Sequence, residues 1–390
     1  MTEIIAHQAG RPSFGPAAET VLTQQDFDRA AREITQWEGY APTPLHSLPS
    51  LAAEIGVAEV HYKDEGPRFG LGSFKALGGA FAALRVLQRE ISRRTGQDMS
   101  LEDIRTGRCA DMVASITLVS ATDGNHGRSL AWGCKRFGVP CRIYIHAEVS
   151  EGRAQAMREL GADVVRIDGD YDASVDQCRR EADKNGWFVV SDTSWPGYTD
   201  PPRDVMSGYG VMVKEVVDVM DAAPTHVFLQ GGVGGLAAAV AAALRQAWGD
   251  AAPRVVVVEP HLAACLFESA RQGQAASVDI DEETIMAGLS CGVPSPMAWE
   301  VLRSEASDFL TIDDQLIPPT VRRLARPHGS DPAIEAGESG VAGLTALIEA
   351  ANNPELFQKL GLTPQSRVLT IGSEGVTDPN IYARIMQGDV

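Results

Sequence analysis

Short apolar runs of strand length alternate along the chain with longer segments in which apolar residues recur at helical spacing. Val113–Ser120 (VASITLVS), Arg142–His146 (RIYIH), Val164–Ile167, Trp187–Val190, Val227–Leu229, Val255–Val258 (VVVV) and Val368–Ile371 (VLTI) predict strands. Several are apolar at successive positions, the pattern of strands covered on both faces. Between them, Phe74–Glu90, Gly127–Phe137, Glu151–Leu160, Ser174–Asn185 and Leu236–Trp248 predict helices. This β-α-β-α rhythm predicts an α/β fold with largely parallel sheets. Pro201-Pro202 and Pro318-Pro319 read as loop breaks, the first of them a crossing between domains. The first 18 or so residues carry no period and are expected to be mobile, and no repeat or low-complexity linker follows.

Composition narrows the class. The 390 residues allow two or three folding units at roughly 150 residues each. With 44% apolar and 22% charged residues, disordered, collagen-like and disulfide-scaffold chains are excluded. No run approaches the roughly 18 apolar residues of a membrane span, and the opening residues lack the basic end and apolar stretch of a secretory signal. The expectation is a cytoplasmic protein without a membrane partner. Its six cysteines (Cys109, Cys134, Cys141, Cys178, Cys265 and Cys291) are then expected to be reduced. None stands in a CxxC and there is no HExxH, so no metal site is signalled. The net charge of −18 argues against nucleic acid as a partner.

Two loops and a lysine carry candidate chemistry. Val227 to Ala237 reads VFLQGGVGGLA, a strand running into glycines and then an alanine-rich helix. Gly232, Gly234 and Ala237 satisfy GxGxxG/A, and the later VVVV run ends in Glu259, which together approach a dinucleotide fingerprint with its acidic ribose ligand. An NAD-dependent oxidoreductase is therefore one reading. Yet glycine N–H groups at a helix start bind any phosphate, and this loop lies deep in the chain. A phosphate cradle is the better reading, and glycines serving only a tight turn are the alternative. Gly72-Ser73-Phe74-Lys75-Ala76 places a lysine in the first turn of a predicted helix, flanked by Phe74 and Ala76-Leu77. Burial lowers a lysine pKa and makes the amine nucleophilic, as Schiff-base chemistry needs. Ser120-Ala121-Thr122-Asp123-Gly124-Asn125-His126-Gly127 follows a strand and precedes a helix. Asn125 suits a hydrogen bond to a phenolic oxygen, and the surrounding backbone N–H groups suit a carboxylate.

In order and kind, these pieces resemble the β-family (fold type II) enzymes that use pyridoxal 5′-phosphate, the group of the threonine dehydratases and tryptophan synthase β chains. Within it the chain looks like the 2,3-diaminopropionate ammonia-lyase family. The segments that carry the resemblance are GSFKALGGA (72–80), TDGNHGR (122–128), DTSWPGYTD (192–200), IMAGLSCG (285–292), DPAIEAGESG (331–340) and SEGVTD (373–378). A simple threonine dehydratase is expected to carry an SGGN-like C-terminal segment and no aspartate before GNHG. The resemblance implies two open, twisted, mostly parallel sheets with helices on both faces and the cofactor between the domains. The large domain is expected at 1–89 plus 201–390, the small one at 90–200, and the assembly is expected to be a homodimer.

Residue roles follow from the same resemblance. Lys75 is implied as the lysine that bonds to the cofactor, with Asn125 at its 3′ oxygen. Gly231, Gly232, Val233, Gly234 and Gly235 are implied around its phosphate and Ser373 at the pyridine nitrogen, where SEG departs from the commoner SGGN. A neutral hydroxyl there gives a weaker electron sink, which suits a fast-leaving β-substituent. Asp123 is implied as the general base for the D enantiomer and Asp192 for the L enantiomer. Ser120, Thr122, Asp123, Gly124, His126 and Tyr198 are implied as substrate contacts. The implied reaction is α,β-elimination of D- and L-2,3-diaminopropionate to pyruvate and two ammonia. Serine/threonine dehydration, or a lyase for another β- or N-substituted amino acid, is the alternative.

Each of these residues also has a plainer reading. Asp123 can be a helix N-cap and Asp192 a turn aspartate at a strand end. His126, inside a tight glycine loop, is read as satisfying backbone groups rather than as a catalytic base. Cys265 and Cys291 are read as free thiols by default, with a bond between them as the alternative. Glu338 either packs beside the cofactor ring or caps a helix.

Overall fold

The computed structural model describes residues 4–6, 20–122 and 124–390. Asp123 and all of the first 18 or so residues except the strand Ile4–Ala6 lie outside the described residues. Eleven strands occur among the described residues: β1 (Ile4–Ala6), β2 (Leu45–Ser47), β3 (Glu59–Asp64), β4 (Leu118–Ala121), β5 (Cys141–Ile145), β6 (Asp163–Arg166), β7 (Phe188–Val189), β8 (His226–Gln230), β9 (Arg254–Pro260), β10 (Asp308–Ile312) and β11 (Arg367–Gly372). They form a seven-stranded sheet of order β1-β10-β9-β8-β11-β3-β2 and a four-stranded sheet of order β6-β5-β4-β7. All neighbours are parallel except the two edge pairs, β1 with β10 and β2 with β3. The α/β architecture expected from the apolar rhythm is the one observed.

The chain divides into two compact units, one of residues 1–25, 41–74 and 212–390, the other of 26–40 and 75–211. The expected division of 1–89 plus 201–390 against 90–200 differs from this in placing 26–40, 75–89 and 201–211 in the larger unit, so that it cuts the helix Lys75–Thr95. The reason is backbone packing that only glycine allows. A Cβ on Gly133, in the helix Asn125–Phe137, would sit 2.6 Å from the Ala80 Cα, and one on Gly208 would sit 2.5 Å from the Leu77 carbonyl oxygen. Lys75–Thr95 therefore lies against Asn125–Phe137 and the first turns of the helix Asp200–Val219 at backbone distance.

Two other expectations fail for identifiable reasons. Val113 belongs not to a strand but to the short helix Ala110–Ala114, and β4 starts only at Leu118. Pro201-Pro202 and Pro318-Pro319 do not break the chain into loops. They occupy the first turns of the helices Asp200–Val219 and Ile317–Ala325, where a missing N–H costs nothing and the fixed φ suits the helix.

The larger unit holds a charged knot just before Lys75. Lys63 on β3, Glu65, Arg68 and Glu215 are all buried. Lys63 Nζ lies 2.6 Å from Glu215 Oε2, and Arg68 donates to the same carboxylate through Nη1 (2.8 Å) and Nη2 (2.7 Å). Arg68 Nε and Nη2 also donate to Glu65 at 2.8 Å each. Burial raises the Glu215 pKa, but Arg68 and Lys63 outweigh it and hold the carboxyl below its usual value. The knot fixes the turn Arg68–Gly70, in which Phe69 takes a left-handed φ of 51°. Beyond the turn, Gly72–Phe74 is tied to Ser373–Gly375 by Phe74 N to Ser373 O (3.0 Å) and Gly375 N to Gly72 O (2.9 Å).

A knot this buried tolerates the loss of one member poorly, because the remaining charges stay desolvated. Glu215→Gln is expected to lower unfolding stability by about 3–5 kcal/mol, read from the denaturant midpoint at constant m-value. A loss under about 1 kcal/mol would mean that the charges find solvent or other partners.

Candidate active site

In the larger unit, β8 delivers the chain into Gly231–Gly235 and the helix Gly235–Trp248. Gly232 and Gly234 have φ of +63° and +95°, values that glycine adopts freely. Gly231 has no room for a side chain: a Cβ there would lie 2.4 Å from Glu259 Cγ. The helix starts on Gly234 with no side-chain cap, so its first N–H groups point at whatever anion the loop holds. A glycine cradle without a capping side chain fits a phosphate.

Glu259 does not serve the role that the fingerprint offered it. Its carboxylate accepts from Leu266 N (3.1 Å) and Phe267 N (2.7 Å), at the start of the helix Cys265–Gln272. Burial raises its pKa to about 8, against the pull of those two N–H groups. A carboxyl committed to protein backbone is not a ribose ligand. Cys265 Sγ lies beside it and donates to Gly232 O at 3.5 Å. All six cysteines are free thiols.

Ser373 follows β11, and its side chain is buried. Glu338 is buried in the turn before the helix Ala342–Asn352. Next to Ser373, Glu374 accepts from Ser339 N at 3.2 Å.

The smaller unit brings together Lys75, the 120–127 loop and Asp192. Lys75 is the first residue of its helix and Asn125 the first of the helix Asn125–Phe137. Ser120, on β4, buries a hydroxyl that has no partner among the described residues. Thr122 is buried and Gly124 half-buried. Lys75 is not enclosed by apolar groups as its neighbours suggested: its Nζ lies 2.5 Å from Asp192 Oδ2, with both side chains about one-fifth exposed (21% and 20%). Burial raises the Asp192 pKa, but the Lys75 ammonium holds it well below the usual carboxylate range.

Asp192 is clamped by its surroundings. Val190 N donates to Val119 O (2.8 Å), joining the end of β7 to β4. The Tyr198 hydroxyl donates to Val189 O and accepts from Ser191 N, each at 2.9 Å. Its ring stacks on Trp195, with centroids 3.8 Å apart. Tyr198, expected at the substrate, thus spends its hydroxyl on the backbone beside Asp192, a role that only a turn folded back on itself reveals. His126 is buried, with Nε2 2.9 Å from Val190 O and Nδ1 4.0 Å from Asp192 Oδ2. Burial lowers its pKa. Among the described residues no cluster of His, Cys, Asp or Glu could hold a metal ion, and no helix is long and apolar enough to cross a membrane.

Comparison with known proteins agrees with this chemistry. Residues 36–373 match the family model "Pyridoxal-phosphate dependent enzyme". The chain is 37% identical over 372 residues to diaminopropionate ammonia-lyase of Escherichia coli strain K12, covering 94% of this chain and 92% of that protein. The holo crystal structure of the Escherichia coli enzyme superposes with a TM-score of 0.90 at 34% identity, covering 100% of this chain and 97% of that one. The same enzyme in complex with an aminoacrylate-PLP azomethine reaction intermediate gives 0.89 at 34% identity, with the same coverage.

If the glycine loop holds the cofactor phosphate, Gly231→Val is expected to weaken pyridoxal 5′-phosphate binding by about tenfold or more, roughly 1.4 kcal/mol. The check is a titration of the cofactor into cofactor-free protein followed by its visible absorbance. Unchanged affinity would detach the loop from the phosphate.

Proposed function

The chain belongs to the pyridoxal-phosphate-dependent enzymes and, within them, to the diaminopropionate ammonia-lyases, and from that premise we propose that it eliminates both nitrogens of 2,3-diaminopropionate to give pyruvate and two ammonia. The observation that carries the reading is the Lys75–Asp192 pair beside the asparagine loop, a nucleophilic amine and a carboxylate base held in one place. The chemistry that pyridoxal 5′-phosphate supplies when bound is an electron sink for the α-carbon of an amino acid.

The chain's own residues do the rest. Lys75 Nζ would bond to the cofactor, Gly231–Gly235 would hold its phosphate, and Asn125 and Ser373 would meet its phenolic oxygen and ring nitrogen. The N–H groups of the 120–127 loop take the substrate carboxylate. Asp192 Oδ2 removes the α-proton of the L substrate. Anything that takes the Lys75 ammonium away removes the largest opponent of burial and raises the basicity of Asp192, the direction a base needs. The β-nitrogen enters as an ammonium and leaves as ammonia with its own hydrogens, so no separate acid is required. Water then converts the remaining enamine to pyruvate and the second ammonia. Asp123, outside the described residues, is proposed as the base for the D substrate. Two copies of the chain and a reducing, cytoplasmic setting complete the proposal, the latter in keeping with six free thiols.

Asp192→Asn is expected to lower turnover of L-2,3-diaminopropionate by about 10²–10⁴-fold and that of the D form far less, measured on pyridoxal-phosphate-loaded protein. Equal losses on both enantiomers would overturn the assignment of one base to each. Wild-type protein that turns over L-serine or L-threonine in preference to either diaminopropionate would make it a dehydratase.

A further inference from the structure

His126 is 5% exposed, and its two ring nitrogens face different kinds of neighbour. Nε2 lies 2.9 Å from Val190 O. A carbonyl oxygen can only accept, so Nε2 carries the hydrogen. Burial favours the neutral ring, which leaves Nδ1 a bare lone pair. That atom is buried and meets no hydrogen-bond partner among the described residues. The polar atom it faces is Asp192 Oδ2, 4.0 Å away, the same oxygen that receives Lys75 Nζ. Two acceptors therefore look at each other across a gap, an arrangement that costs free energy until a proton lies between them.

We infer that His126 Nδ1 receives the hydrogen bond of Asp192 once that carboxylate has taken the α-proton of the L substrate, which makes His126 the positioning residue for this base. The inference rests on the proposed role of Asp192. The step balances within the pair: the Cα–H bond breaks, an O–H bond forms on Asp192, and that O–H donates to Nδ1. Rotation of the Asp192 carboxyl away from Lys75 closes the gap, as contacts of this kind tighten when substrate is bound. The arrangement rewards the protonated acid and not the carboxylate, so it raises the basicity of Asp192 at the moment the proton is taken. Among the described residues the charged and titratable groups that act on His126 are Asp192 and Lys75, while Tyr198 and Tyr209 act on Asp192 and Tyr209 also on Lys75.

Imidazole ¹⁵N NMR of the loaded enzyme reads the pair without relying on turnover. In the wild type the His126 signals are expected to show Nε2–H with an unprotonated Nδ1. In Asp192→Asn, whose amide can donate as the protonated acid would, the Nδ1 resonance is expected to shift toward that of a hydrogen-bonded acceptor. A proton on Nδ1 in the wild type, or the same Nδ1 resonance in both proteins, would overturn the inference. His126→Gln keeps an amide donor for Val190 O but takes the ring nitrogen Nδ1 and its fixed lone pair away. It is expected to lower L turnover by about tenfold or more with a smaller loss on the D enantiomer. Equal losses on both would make His126 structural only. An Asp192→Asn variant without enantiomer selectivity would sink the base assignment itself, whereas a selective one beside an indifferent His126→Gln would sink this inference alone.

Discussion

The smaller unit is organised around one ion pair. The Lys75 ammonium and the Asp192 carboxylate meet at 2.5 Å, and each is placed by a different part of the fold. Lys75 is fixed because its helix lies against Asn125–Phe137 at a distance that only Gly133 permits. Asp192 is fixed because Tyr198 ties down the backbone on either side of Val190, and because Val190 itself bonds to β4 and to His126. Taking two charges largely out of water is costly unless each compensates the other. The pair therefore couples strand end, loop and helix start into one unit, and the same low-dielectric setting makes the carboxylate responsive to whatever happens at the lysine nitrogen.

The larger unit presents a different feature, a glycine loop whose backbone alone suits an anion. Its glycine loop matches a dinucleotide fingerprint in letters, and the structure explains why the match misleads. Glu259 stands at the expected acidic position, but it turns to the N–H groups of Leu266 and Phe267. Its side chain also occupies the space beside Gly231, which is why that residue has no Cβ. What remains exposed to a ligand is a set of helix-terminal N–H groups, and these specify a phosphate without specifying what is attached to it. Substrate chemistry is left to the lysine, the asparagine loop and the aspartates.

How far the sequence foretold this depends on what each residue touches. Runs such as Val255–Val258 and Val368–Ile371 were legible because β9 and β11 are interior strands buried on both faces. β3 was hidden because it carries Lys63 into a buried charge knot and so reads as polar. β10 begins at Asp308, a buried carboxylate held by Arg254 at 2.6 Å, and its charge disguised a strand of the main sheet. β1 and β2, three residues each, are edge strands defined by their partners rather than by their own pattern. The proline pairs misled because a proline in a first helical turn looks, in sequence, like one that ends a helix. At the site, Lys75, Asn125 and the glycine loop could be found from local motifs. The tasks of Tyr198 and His126 could not, since each is set by a backbone atom more than five residues away in the chain.

The central claim is that one chain removes two nitrogens from a single three-carbon substrate. Its most direct test is the molar ratio of ammonia to pyruvate released by purified, pyridoxal-phosphate-loaded protein from L- and from D-2,3-diaminopropionate. The account predicts two ammonia for each pyruvate from both enantiomers. No pyruvate from diaminopropionate, with one ammonia per keto acid from serine or threonine instead, would contradict it.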